Sequence, residues 1–147
     1  MKHFFSLILV AFLFSCTKET KKEPISKTPK TVELKMYKPS EMALLMEEMF
    51  QANMKVKKQI QAGELPDSFP ERFKNIHKAV LTDPNDRTAS FKTFSDNYLN
   101  NLASVYTAST ASDAKTRFNN TINACVACHQ TTCTGPIPRI KKLLIKE

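Results

Sequence analysis

Apolar residues recur at intervals of three and four positions in four stretches of the chain. The first stretch begins after Ser40, a residue type favoured at helix N-caps, and ends near Gly63, which suits a C-cap. Its apolar positions continue through Ala52 or Asn53, so they share one face of a helix. These positions are Met42, Leu45, Met46, Met49, Val56 and Ile60. The pattern predicts a long amphipathic helix with a methionine-rich buried face.

The second and third stretches predict a short helix and a longer one. In the second, Ser68 and Glu71 have the spacing of a capping box, and Asp83-Pro84 ends the segment. Its apolar side consists of Phe73, Ile76, His77 and Val80. The third runs from about Thr88 to Ala108. Its predicted buried face consists of Phe91, Phe94, Tyr98, Leu102 and Val105.

The fourth stretch begins at Ser112 and Asp113, and we expect Gly135-Pro136 to stop its helix. One stripe of this helix consists of Phe118, Ile122, Cys125 and His129. The residues that follow, 137–147, are half apolar, and we expect them to pack back across the helices. Because the chain has only two glycines and few candidate strands, its composition predicts an all-α fold.

The formal net charge of +8 is concentrated at the two ends of the chain. Residues 39–138 carry equal numbers of acidic and basic side chains, whereas residues 17–38 and 139–147 are basic. A nucleic-acid platform would carry its basic residues on a folded face among aromatic side chains, so we expect no nucleic-acid partner. Residues 16–38 are rich in Lys, Thr and Pro, which predicts a disordered tether. The folded domain is therefore predicted at 39–138, followed by a basic tail.

Residues 1–15 have the features of a secretory signal peptide. A basic start precedes an apolar run from Phe4 to Phe14, which is too short to span a membrane. The run ends at Leu13-Phe14-Ser15-Cys16, which resembles the bacterial lipobox, in which the cysteine becomes the lipidated first residue. We therefore expect the protein in the periplasm or cell envelope, anchored to a membrane through lipid on Cys16. The alternative is an ordinary cleaved signal with an incidental cysteine.

The residues Cys125-Val126-Ala127-Cys128-His129 form the C-x-x-C-H pattern typical of covalent haem attachment. Two thiols three positions apart lie on one helical turn, and each can add to a vinyl group of one porphyrin. The histidine after them lies beneath the ring, where its neutral imidazole nitrogen can bind the iron. Haem of this type is attached outside the cytoplasm, so the predicted export supports the interpretation. We predict one covalent haem c on Cys125 and Cys128, with His129 as the proximal iron ligand.

A fourth cysteine, Cys133, remains once Cys16 takes lipid and the motif takes haem. On a continuing helix it would share a face with His129, as a small buried hydrophobe near the haem edge. Alternatively, it is an exposed thiol that can link two molecules in a homodimer. A different hypothesis assigns the three C-terminal cysteines and His129 to a structural zinc ion. One continuous helix cannot surround a tetrahedral ion, so this hypothesis requires the helix to break.

Four predicted helices, a haem motif near the end of the last one and a methionine-rich first helix resemble the class II cytochromes c, the cytochrome c′ family. The resemblance covers about residues 38–135 and implies an antiparallel four-helix bundle with haem on its last helix. In low-spin members a methionine of the first helix is the sixth iron ligand, and Met46 occupies the matching place. Met42, Met49 and Met54 are the alternatives. In high-spin members an apolar residue stands there, and the distal face is open to small gases.

The chain departs from the family after the motif, because residues 130–136 lack the usual aromatic residue followed by a basic one. The only other histidine after Cys16 is His77, which is either an alternative sixth ligand or a packing residue. No Ser-His-Asp, paired-carboxylate or phosphate-loop pattern is visible, so we expect no enzyme activity. We predict a monohaem c-type cytochrome that exchanges single electrons with redox partner proteins. The alternative is a haem protein that binds nitric oxide or carbon monoxide.

Overall fold

The computed structural model describes residues 38–146, which form helices and turns with no β-strand among them. The α-helices are α1 (Glu41–Gln61), α2 (Ala89–Val105), α3 (Ala111–His129) and α4 (Ile137–Ile140). Short 3-10 helices span Glu71–His77, Pro84–Asp86 and Lys141–Leu143. The predicted all-α class is therefore confirmed for this part of the chain. The predicted signal peptide, Cys16 and the tether up to residue 37 lie outside the described residues.

Both predicted ends of α1 are confirmed. Ser40 is the N-cap, and its Oγ accepts a hydrogen bond from the backbone N–H of Ala43 at 3.1 Å. At the other end Gly63 has a φ of 81°, a left-handed conformation that glycine adopts without steric cost. This conformation lets the N–H of Glu64 bond back to the carbonyl of Gln59 at 2.9 Å. Such a closing turn satisfies carbonyls that the helix itself leaves free.

The last long helix, α3, ends at His129 and not at Gly135 as predicted. Its N-cap is Thr110, slightly earlier than expected, with Oγ1 accepting from the N–H of Asp113 at 3.1 Å. At its C-terminal end the hydroxyl of Thr131 donates to the carbonyl of Cys128 at 2.7 Å. The backbone N–H of Thr131 bonds to the same carbonyl at 3.0 Å, an i→i−3 bond of the kind that tightens the last turn of a helix. Cys133 is therefore outside the helix and exposed, so the prediction of a buried Cys133 on the His129 face was wrong.

The second predicted helix is the 3-10 helix Glu71–His77, which packs against α1 and α2. The expected capping box is absent, because the N-cap is Pro70 and no side chain bonds to this end. A 3-10 helix repeats every three residues, so Phe73 and Ile76 share its buried face, and Ala79, just past its end, is also buried. Val80 was predicted on that face from α-helical spacing. It is 58% exposed, and that prediction was wrong.

The buried side chains form two clusters at opposite ends of the long helices. The first, which we call the closed core, consists of Val56, Ile60, Val105, Ala114, Phe118, Ile122, Ile140, Leu143 and Ile145. The second, which we call the cavity end, consists of Met42, Leu45, Met49, Phe73, Ile76, Ala79, Phe91, Tyr98, Leu102 and Ala124. The predicted stripes on α1, α2 and α3 supply most of both clusters, so the predicted core is largely confirmed.

The C-terminal segment, residues 136–146, packs across the long helices as predicted and contributes three residues to the closed core. Lys57 of α1 donates from Nζ to the carbonyls of Lys142 and Leu144 at 2.8 and 3.0 Å. Asn119 of α3 forms a reciprocal amide pair with the backbone of Ile145, at 2.9 and 3.0 Å. These bonds satisfy backbone groups that the short helices leave unpaired. Over residues 38–146, no helix has the length and hydrophobicity needed to cross a membrane.

Candidate functional site

A cavity of about 400 Å³ opens between the N-terminal halves of α1 and α2, the C-terminal end of α3 and the C-terminal segment. Apolar side chains form most of its wall. Its lining includes Met42, Ala43, Met46, Met49, Phe50, Ile76, Leu81, Phe91, Phe94, Tyr98, Ile140 and Leu143. The three residues of the predicted haem motif, Cys125, Cys128 and His129, line the same cavity. Its size lies within the range of roughly 300–1,000 Å³ that small-molecule and cofactor sites occupy.

The α3 helix positions the motif residues. Their spacing of three and four places Cys125, Cys128 and His129 on one helical face, at the last turn before the helix ends. All three side chains are half-buried, and Cys125 packs against both buried clusters. A group attached to both thiols would therefore extend from the centre of the fold toward its surface.

The imidazole of His129 is held by a backbone hydrogen bond. Its Nδ1 lies 2.7 Å from the carbonyl oxygen of Cys133, which can only accept a proton. Nδ1 therefore donates, and in the neutral ring Nε2 keeps its lone pair. Histidines that bind metals are oriented in this way, and the bond fixes both the tautomer and the ring. The early end of α3 makes this contact possible, since the chain turns back beside the ring.

Burial controls the chemistry of the two thiols. Burial, followed by the neighbouring Cys128, raises the pKa of the Cys125 thiol to about 12, and burial also raises the pKa of Cys128. Both thiols are therefore held in their uncharged S–H form. A thioether bond to carbon forms when an S–H adds across a carbon–carbon double bond, and its sulfur is uncharged.

The zinc hypothesis lacks the geometry that it requires. The α3 helix is continuous through Cys125, Cys128 and His129, and Cys133 lies beyond its end. Within the described part of the chain, no three His, Cys, Asp or Glu side chains are gathered around a point that can hold one ion. A closed tetrahedral site needs four such ligands on one centre.

Of the five candidate sixth ligands, three line the cavity and two lie outside it. Met46, the first candidate, lines the cavity together with Met42 and Met49. Met54 packs against the closed core, so the structure does not bring it to the motif. His77 lies on a separate groove, and its Nδ1 is 3.3 Å from the hydroxyl of Ser95. The cavity therefore brings three of the four methionines to the motif, and His77 is not among its lining residues.

Two of the residues that line the cavity carry buried polar groups to which the sequence analysis gave no functional role. The hydroxyl of Tyr98 and Oδ1 of Asn53 have no hydrogen-bond partner among residues 38–146. Asn53 donates from Nδ2 to the carbonyl of Met49 at 2.8 Å, which fixes its amide. Burial raises the pKa of Tyr98 above its usual range, so the phenol stays neutral. Buried polar atoms without a partner are costly, and Asn53 also acts on the Tyr98 hydroxyl, whose pKa it lowers against the effect of burial. In the sequence, this feature was indicated only by a polar residue, Asn53, among the apolar positions of the α1 stripe.

A salt bridge closes the rim of the cavity between α1 and the C-terminal segment. Arg139 contacts both carboxylate oxygens of Glu47, at 2.6 and 2.8 Å. Its guanidinium also lies over the ring of Phe50, 3.7 Å from the ring centre. The Arg139 hydrogen bonds, followed by one from Gln51, lower the pKa of Glu47 to about 2. No sequence pattern indicated this contact, because its partners are far apart in the chain.

The residues of the cavity fit a covalently attached haem. Apolar walls, two thiols and an oriented imidazole are the groups that such a cofactor requires, and thioethers lie in the same cavity. Comparison with known proteins adds nothing to this, since no protein family, curated protein or solved structure matches the chain.

Proposed function

We propose that the chain is a monohaem c-type cytochrome that transfers single electrons in the cell envelope. One haem would be attached through Cys125 and Cys128, with His129 as its proximal iron ligand. The observation that carries the proposal is the convergence of these three residues and three methionines on one apolar cavity. An ordinary helix with two thiols and a histidine has no need of a cavity at that place.

We further propose that the helices form an antiparallel four-helix bundle similar to the class II cytochromes c. Its second helix is the short 3-10 helix Glu71–His77. The N–H of Met42, at the start of α1, bonds to the carbonyl of Val80 after the 3-10 helix. The other end of that segment, Phe69, packs edge-on against Tyr106 at the end of α2. These contacts support opposite directions for α1 and the second segment.

Contacts between α2 and α3 also support opposite directions for these two helices. Arg117, in the first half of α3, donates to the carbonyl of Ser104 at the end of α2, at 2.9 Å. At the opposite ends of the two helices, Phe91 and His129 line one cavity. This supports an up-down-up-down order in which the second member is the 3-10 helix Glu71–His77.

Bound haem supplies a reversible one-electron change at its iron. The protein's part is to hold the cofactor and to set its surroundings. The apolar wall excludes water, and the bond from His129 to the Cys133 carbonyl fixes the ligand ring. The C-terminal segment, held by Arg139 and Glu47, covers one side of the cavity. The described residues that line the cavity need not perform any acid–base or nucleophilic step.

We assign Met46 as the sixth ligand, with Met42 and Met49 as alternatives. The competing proposal, a protein that binds nitric oxide or carbon monoxide, is favoured by one observation. The apolar cavity beside the motif has space for a small molecule. The two proposals differ in whether a methionine sulfur occupies the distal position.

A single preparation distinguishes them. Protein made in a host that matures haem c is titrated with reductant, and its ferrous form is then exposed to carbon monoxide. Methionine ligation predicts a low-spin ferric spectrum, a reversible one-electron transition and little reaction with carbon monoxide. A high-spin ferric protein that binds carbon monoxide at once would replace electron transfer by gas binding. A protein without haem would overturn both proposals.

The location in the cell is tested separately. We propose that Cys16 carries lipid and tethers the folded domain to a membrane of the envelope. Replacing Cys16 by serine should release the protein into the soluble periplasmic fraction with an unchanged visible spectrum. Continued membrane association of the Cys16→Ser variant would contradict lipidation.

A further inference from the structure

The charged side chains of α1 are divided between its two halves. All three acidic residues of this helix lie before Met49, and all three of its lysines lie after it. The second half lies beside the C-terminal segment, because Lys57 donates from Nζ to the carbonyls of Lys142 and Leu144. The C-terminal segment, residues 136–146, contains four basic side chains and no acidic one. Two neighbouring parts of the fold therefore carry charge of one sign only.

Five lysines on these two parts form what we call the basic surface. They are Lys57, Lys58, Lys141, Lys142 and Lys146. Within residues 38–146, none of them forms a salt bridge. The two hydrogen bonds of the Lys57 ammonium go to uncharged carbonyl oxygens, and the other four lysines are exposed. Arg139 is not included, because Glu47 balances its charge.

The basic surface includes the outside of the segment that covers the cavity. Ile140 and Leu143 line the cavity, and the exposed Lys141 and Lys142 lie between them in the sequence. The bonds from Lys57, together with the amide pair between α3 and the end of the segment, hold this backbone in place. A molecule bound to these lysines would therefore be separated from the cavity by one segment of chain.

An anionic membrane is the other large surface that lysines can bind. Peripheral binding to a membrane also requires apolar side chains that enter the headgroup region. In the part of the chain that the structure describes, the exposed large apolar side chains are Leu44, Leu65 and Val80. None of them belongs to the second half of α1 or to the C-terminal segment. The observations therefore favour a protein as the partner of the basic surface.

We propose that the basic surface is the docking site for an electron-transfer protein whose own surface is acidic. This inference rests on the proposed function, since the partner would exchange its electron with a haem in the cavity. When the partner is the donor, its redox centre loses one electron, the haem iron gains it, and no bond forms or breaks. Opposite charges steer two proteins together and raise their association rate by roughly 10- to 1,000-fold. Charges at the edge of an interface act mainly on this rate and on its salt dependence.

The test measures the rate of electron transfer from an acidic protein to the ferric holoprotein. The probe is reduced plant-type ferredoxin, a small acidic iron–sulfur protein of low potential. At low salt, Lys141→Gln with Lys142→Gln should lower the second-order rate constant by roughly three- to tenfold. At about 1 M salt, where the Debye length is about 3 Å, the variant and the wild type should react equally fast. Both side chains are exposed, and the bonds from Lys57 use backbone carbonyls that the variant keeps.

The matched control removes two positive charges from other parts of the fold. Lys78 and Lys92 are exposed and lie outside α1 and the C-terminal segment. Lys78→Gln with Lys92→Gln should therefore stay close to the wild-type rate. Equal slowing of both variants would reveal an effect of net charge alone, and it would overturn the docking site. A wild-type rate that does not fall as salt is added would overturn it as well.

A second measurement tests the membrane as an alternative. Cys16→Ser protein, with and without the two glutamine substitutions in the C-terminal segment, is mixed with vesicles of phosphatidylglycerol or phosphatidylcholine. If these substitutions abolish binding to the anionic vesicles and leave the ferredoxin rate unchanged, the basic surface binds a membrane and the inference is overturned. Slower electron transfer supports the docking site whether or not vesicles bind. A protein without haem overturns the proposed function and the docking site together, whereas a haem protein whose rate ignores these lysines overturns the docking site alone.

Discussion

The closed core and the cavity end are built from the same three long helices, yet their side chains differ in kind. The closed core contains branched aliphatic residues around Phe118, and its largest members are completely buried. The cavity end contains methionine and aromatic side chains around an open space. The first region is filled by its own side chains, whereas the second surrounds the cavity.

This difference indicates how stability and function are divided along the bundle. Branched side chains pack with few rotamers and define one arrangement, while methionine adapts to the shape of a partner. The C-terminal segment belongs to both regions. Leu143 is buried in the closed core and also lines the cavity, and Arg139 closes the cavity rim. We therefore expect the closed core to fold without haem and the cavity end to become ordered with it.

The largest expected effect comes from removing both thiols. The double variant Cys125→Ala, Cys128→Ala should contain no haem after denaturation and extraction with acidic acetone. Hydrogen exchange should show that amides around Phe118 stay protected, while amides in the N-terminal half of α1 lose protection. The matched control is Cys133→Ala, which should retain all of the haem. Uniform loss of protection through the whole molecule would contradict the division into two regions.

A large loss of stability should follow from truncating the centre of the closed core. Phe118 is fully buried, so Phe118→Ala should lower the free energy of unfolding by about 3–5 kcal/mol. Phe94 faces the cavity and is only half-buried, so Phe94→Ala should cost less than about 2 kcal/mol. Urea titration of the two variants measures the difference. Equal losses would show that the cavity end is packed as tightly as the closed core.

A change at the cavity end alone should follow from Met46→Ala. If Met46 supplies the sixth ligand, the ferric haem becomes high-spin, and the weak far-red band from sulfur to iron disappears. Stability should fall only modestly, because Met46 is half-buried. Met54→Ala is the matched control, since Met54 packs against the closed core and should leave the band unchanged. Loss of the band in Met42→Ala or Met49→Ala would identify a different ligand.

The smallest effect concerns the salt bridge at the cavity rim. Because the pKa of Glu47 is lowered to about 2, its contribution is present above the usual carboxyl pKa of about 4.5 and is lost as pH falls toward 2. Arg139→Gln should remove this acid-dependent loss, which thermal unfolding at several pH values would detect. Arg72→Gln breaks another exposed pair, with Glu48, and should leave amide exchange in the C-terminal segment unchanged. If Arg139→Gln leaves the acid-dependent loss in place, the Glu47 pair is not its cause.

The positions of the three long helices and their buried faces could be predicted because they depend only on the spacing of apolar residues within each helix. The stripes on α1, α2 and α3 depend on local spacing, and so does the N-cap at Ser40. The C-x-x-C-H residues share a helical face for the same reason, and the structure brings them to a cavity with the first-helix methionines. The haem itself remains a prediction.

Some features that escaped prediction depend on residues far apart in the chain, and others depend on local hydrogen bonding. Arg139 meets Glu47 only after the C-terminal segment folds back, and the contact between His77 and Ser95 requires two helices. The 3-10 geometry of Glu71–His77 was missed because apolar spacings of three and four fit both kinds of helix over seven residues. The early end of α3 is a tightened last turn closed on the Cys128 carbonyl, which hydrophobic spacing does not reveal.

The central claim is that the cavity holds a haem joined covalently to the chain. The most direct test is the intact mass of the mature protein under denaturing conditions, after production in a host that matures haem c. We predict a mass greater than that of the polypeptide and its lipid by one haem, and the loss of that increment when Cys125 and Cys128 are both replaced. A wild-type protein without the increment would contradict the account.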